Sequence, residues 1–100
     1  MARVYKILPR ADWAEAQARG DYGGAAIDRA DGFIHLSAAD QVAETLRLHF
    51  AGQADLVIVG FEAEALGEAL RWEASRGGAL FPHLYGPLPV ALAASVEDAA

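Results

Sequence analysis

The residues best equipped for chemistry fall in two short segments, Gly32-Phe33-Ile34-His35-Leu36-Ser37 and Phe81-Pro82-His83-Leu84-Tyr85-Gly86-Pro87. Each sets a histidine beside an aromatic ring and a hydroxyl. Imidazole titrates near neutrality and can donate or accept, so it can hold a ligand oxygen or carry a proton. Neighbouring rings can stack on a planar group. If residues 33–37 are extended, alternation puts Phe33, His35 and Ser37 on one face and Ile34 and Leu36 on the other. The same parity groups Phe81, His83 and Tyr85. The expectation is a cleft lined by Phe33, His35, Ser37, His83 and Tyr85. The competing reading makes the histidines structural, bonded to backbone carbonyls, with the rings in the core and Ser37 capping a helix.

Glu73 closes a short strand ahead of a Gly-rich turn, where a carboxylate could orient a hydroxyl or stabilise developing positive charge. With His35 and His83 it completes the candidate catalytic set; the alternative is a surface carboxylate paired with Arg71 or Arg76. Lys6, on the first strand, is a further ligand-binding candidate. Asp28, Arg29 and Asp31 lie in the loop before the first histidine segment; one of them could rim a pocket, but an ordinary solvated loop is the favoured reading. His35, His49 and His83 are far apart in the chain, without cysteines or a His-Glu-x-x-His pattern, so no metal site is expected. The glycine pairs 23–24 and 77–78 lack the lysine and hydroxyl of a phosphate-binding loop.

The elements that must position these residues can be read from periodicity and punctuation. Val4 to Leu8 and Leu56 to Phe61 are strands, the second continuously apolar and so central. A helix begins near Asp12 and stops at Gly20; residues 21–32 are an irregular loop. Phe33 to Leu36 is a short strand. Ser37 starts a helix with Val42, Leu46, His49 and Phe50 on its core side. Further short strands are expected at Leu70 to Glu73, Leu80 to Leu84 and Val90 to Val96.

At 100 residues the chain has room for one core, so residues 1–100 are expected to form a single domain. A net charge of −6, with no basic run, argues against general nucleic-acid binding. The absence of cysteine removes disulfides and thiolate chemistry. No signal peptide or membrane-spanning run is read, and a cytoplasmic location is the default expectation. The oligomeric state is not legible.

The order Tyr5-Lys6-Ile7, Trp13, Asp31 to Ser37, Asp55-Leu56-Val57, Arg71-Trp72-Glu73 and Phe81 to Leu88 resembles the DUF952 family of small uncharacterised bacterial proteins over nearly the whole chain. The position of Lys6 is often histidine in that family. The resemblance implies an α+β fold similar to that of the ADP-ribosyltransferases: a small, split, strongly bent mixed sheet with two main flanking helices. By that analogy NAD is the implied cofactor, with Lys6, the His35/Ser37 segment and Glu73 in the order of the site elements. The function expected is binding of a small nucleotide-like ligand in the histidine/aromatic cleft. The alternatives are an NAD-dependent ribosyl-transfer or hydrolase enzyme, and an interaction or structural domain with core histidines.

Overall fold

The computed structural model describes residues 2–99, the Arg76 side chain excepted. Its longest pairing joins β1 (Arg3–Pro9) to β5 (Leu56–Glu62), antiparallel from Arg3↔Glu62 to Pro9↔Leu56. Branched and aromatic side chains suit both strands to a pleated, half-buried surface. β5 is central, flanked on its other edge by β9 (Ala93–Asp98). β4 (Ser37–Ala38) adds to β1, giving a four-stranded sheet in the order β4-β1-β5-β9. Val4, Leu8, Val57, Val59 and Phe61 bury against Trp13 and Ala16 of α1 (Arg10–Arg19). Gly20 ends α1 in the left-handed conformation, returning its N–H to the Ala16 carbonyl.

A second sheet carries the histidines. β7 (Leu80–Leu84) runs between β3 (Ile34–His35) and β6 (Leu70–Ala74), with His83 opposite His35 on one side and Arg71 on the other. Ile34 and Leu84 turn into the core from the opposite face. A third, minimal sheet pairs β2 (Asp21–Tyr22) with β8 (Leu88–Pro89). Between β3 and β4 the chain changes sheets at Leu36, whose N–H bonds the Pro82 carbonyl at 3.0 Å. Residues 33–37 are therefore not one strand.

The α+β class holds, but the strongly bent mixed sheet does not. Every pairing among the described residues is antiparallel, in three separate sheets, and no sheet is closed or strongly curled. Nor are there two main flanking helices. Besides α1 there are α2 (Ala26–Asp31) and α3 (Val42–His49), with 3-10 segments at Ala39–Gln41, Ala63–Ala69, Arg76–Gly78 and Val90–Leu92. The ADP-ribosyltransferase likeness, and the case for NAD that rested on it, go with that correction. Residues 21–32 are not an irregular loop either, since they hold β2 and α2. No helix among the described residues is long and apolar enough to cross a membrane.

Candidate functional site

The site is organised by Asp28, which lies in α2 and is 2% exposed. A carboxylate this deep is tolerated only with its lone pairs filled. Asp28 accepts from the Ala25 N–H (2.8 Å), the Lys6 ammonium (2.9 Å), the His35 N–H (3.1 Å) and His35 Nδ1 (2.6 Å). The Ala25 bond is half of a capping box and fixes the start of α2. Burial alone would push the Asp28 carboxyl up. The Lys6 charge and the bonds from His35, Lys6 and Ala25 outweigh it and hold the group below its ordinary value. Gly24 makes the packing feasible: its φ is +107°, and a Cβ there would lie 2.9 Å from the Asp28 Cβ.

Lys6 also donates to the His35 carbonyl at 3.1 Å. Burial lowers its pKa, and the Asp28 charge opposes the shift without cancelling it. The far ring nitrogen of His35 lies 2.9 Å from Asp31 Oδ2, so the imidazole is tied at both ends.

His83 is held differently. Its Nδ1 lies 2.7 Å from Glu73 Oε1, which also accepts the Tyr85 hydroxyl at 2.7 Å. The bonds from His83 and then Tyr85 keep Glu73 below the usual carboxylate range, hence ionised at neutral pH and able only to accept. Nδ1 must therefore carry the proton. Phe33 stacks on the His83 ring at 4.0 Å and 23°. Among the described residues nothing bonds Nε2.

A cavity of about 340 Å³ lies between the two larger sheets and α3, at the small end of the range for ligand pockets (~300–1,000 Å³). Lys6, Asp28, His35 and His83 share one part of its wall with Tyr22; Ile7, Leu8, Leu36, Phe50 and Phe81 make much of the rest apolar. α3 has no buried residue, and it turns Thr45 and His49 toward this space. His49 was expected on the core side of its helix; it is exposed at the cavity instead.

Tyr22 is 4% exposed, yet its hydroxyl has no hydrogen-bond partner among the described residues. Burial, with the charge of Asp28 behind it, pushes its pKa up to about 12, so it stays a neutral donor. The Trp13 indole N–H is likewise unpartnered, but it is not on the cavity wall.

Lys6, His35, Ser37 and His83 thus meet at one cavity, whereas Phe33, Tyr85 and Glu73 stand outside its lining. Phe33 packs behind His83 and faces a second, more open cleft with Gly32, Gly86 and Pro87. Tyr85 is exposed, with the Arg71 guanidinium 5.1 Å from its ring centre. Glu73 orients His83 from behind; the Arg76 side chain, its other suggested partner, lies outside the described residues. Ser37 is not a cap. It is an extended β4 residue whose hydroxyl pairs with that of Thr45 at 3.0 Å. Among the described residues no group of three or more metal-binding side chains converges. Sequence reasoning missed Tyr22 entirely and favoured a solvated loop for Asp28. The one available signal was an aspartate placed three residues after Ala25 to cap a helix start.

The family described as protein of unknown function (DUF952) matches residues 7–96, and the chain belongs to it. A crystal structure of protein CC0527 from Caulobacter crescentus is 57% identical, with a TM-score of 0.93 over 96% of this chain and 84% of that one. The solution structure of the same protein gives 57% identity and a TM-score of 0.86, covering 96% and 83%. No curated protein matches.

Proposed function

We propose that this member of the DUF952 family binds a small, uncharged organic molecule in the cavity beneath α3, with an apolar body and one hydrogen-bond-accepting oxygen. The observation that carries the reading is Tyr22, a residue of the cavity wall whose buried hydroxyl has no partner among the described residues. A buried unpaired hydroxyl costs about 1–3 kcal/mol, and a ligand oxygen would remove that cost. The Lys6 ammonium, on the same wall, is a second donor. Its charge is already balanced by Asp28, which favours a neutral oxygen over a carboxylate or phosphate. The nucleotide-like ligand expected from the sequence narrows accordingly to something no larger than an uncharged, base-sized group.

The test is a ¹⁵N-resolved NMR titration with phenylacetone, adenosine, benzoate and phenyl phosphate. Saturable shifts with phenylacetone at residues 5–8, 22, 35–37 and 81–83 are expected, with weaker binding of both anions. Absence of saturable shifts with phenylacetone, or tighter binding of the anions, overturns the reading.

A further inference from the structure

His83 has the three attributes of a proton-transfer group, and binding alone uses none of them. Its tautomer is fixed, because ionised Glu73 can only accept at Nδ1. Its ring plane is fixed by the Phe33 stack at 4.0 Å. Its remaining nitrogen has no protein partner among the described residues, on a side chain that lines the cavity. His35, by contrast, is bonded at both nitrogens. Tyr22 and Lys6, both hydrogen-bond donors, line the same cavity.

We infer that the cavity catalyses enolisation of a small ketone or aldehyde, with His83 as the base that moves the proton on the carbon next to the carbonyl. The inference rests on the ligand reading above. The step balances without a co-reactant. Nε2 takes the α-proton, the C–H pair becomes the C=C bond, and the carbonyl π pair moves onto oxygen. That oxygen would be held by the Tyr22 hydroxyl and the Lys6 ammonium, and the charge it gains is offset by the imidazolium formed on His83 in the same step. Return of the proton from imidazolium to the same or a conjugated carbon completes an exchange or an isomerisation. Glu73 is a positioning residue: it fixes the tautomer and stabilises the cationic ring.

The experiment follows loss of the benzylic ¹H signal of phenylacetone in D₂O, with protein chemical shifts recorded in the same samples. General-base action by one histidine predicts exchange roughly 100-fold or more above an equimolar imidazole control. His83→Gln returns exchange to background while the cavity shifts on binding persist. Glu73→Gln slows exchange about tenfold and lowers the pH midpoint of the rate, because a neutral amide stabilises the imidazolium less. Should both variants misfold, the wild type still decides the matter. Its rate must follow the titration of the His83 ring, read from that ring's own ¹³C shift. The charged and titratable groups facing that ring are Glu73 and Arg71 from β6, His35 from β3 and Tyr85 from β7. Binding without exchange, exchange undiminished in His83→Gln, or a rate flat through the His83 titration overturns the catalytic inference and leaves the binding reading standing. Absence of cavity shifts overturns both.

Discussion

Replacing Tyr22 by phenylalanine should make the ligand-free protein more stable. The substitution removes one oxygen and keeps the ring, which is packed in the core with Trp13, Ile34 and Leu88. Almost no apolar burial is lost, and no hydrogen bond is broken, because the hydroxyl has none. What disappears is the desolvation cost of an unpaired polar group, roughly 1–3 kcal/mol. Taking the lower figure, a gain of about 1 kcal/mol is expected, a rise in Tm of roughly 4–8 °C at this chain length. Urea titration followed by circular dichroism measures it, with thermal melts as a second probe. The sign inverts in the complex. Phenylacetone should bind Tyr22→Phe about five- to tenfold more weakly, the cost of one hydrogen bond. A ligand-free loss of about 0.5 kcal/mol or more would mean that the hydroxyl is already satisfied, near the lower end of an ordinary bond's contribution. The hydroxyl would then not be waiting for a ligand.

Lys6→Met leaves Asp28 buried without its ammonium and should cost about 3–5 kcal/mol by urea denaturation; a loss under about 1 kcal/mol would show the pair is solvated. Lys6→Met combined with Asp28→Asn should recover part of that loss, because no lone buried charge remains. The acid limb of stability follows from Asp28 and Glu73, both held below their ordinary values. In the carboxylate range the unfolded chain binds more protons than the native state, so stability falls as pH drops from about 5 toward the lower native values. Asp28→Asn should flatten that slope in a pH series of melts. Gly24→Ala should cost about 2 kcal/mol or more, since it combines a strained φ with a contact 2.9 Å from the Asp28 Cβ; a neutral effect in the same assay would show that α2 can shift.

Strand parity anticipated part of the side-chain clustering and failed at a definable point. Phe33 and His35 do cluster with His83, because β3 pairs with β7 in the expected alternation. Parity could not see the sheet change at Leu36, so Ser37 follows the β1 edge instead of its histidine neighbour. The continuous apolar run of β5 marked it as central, and β7 occupies the residues its pattern indicated. Asp28 was hidden for two reasons. Gly23 and Gly24 signal a loop, and a six-residue helix has too few turns to show a periodicity. Its partner Lys6 lies 22 positions away, a pairing no local pattern encodes. Tyr22 carried no signal at all, since the importance of its hydroxyl lies in the bond it does not make. The bent mixed sheet came from a family likeness and not from the residues, whose short strands joined by turns suit antiparallel pairing.

The central claim is that the cavity beneath α3 holds a neutral ligand by its oxygen, and a crystal structure of the phenylacetone complex tests it most directly. The account predicts the ketone oxygen within hydrogen-bonding distance of the Tyr22 hydroxyl, with the phenyl ring among Leu36, Phe50 and Phe81. Phenylacetone found only in the open cleft beside Phe33, Gly32 and Gly86, with the Tyr22 hydroxyl still unpartnered, would contradict it.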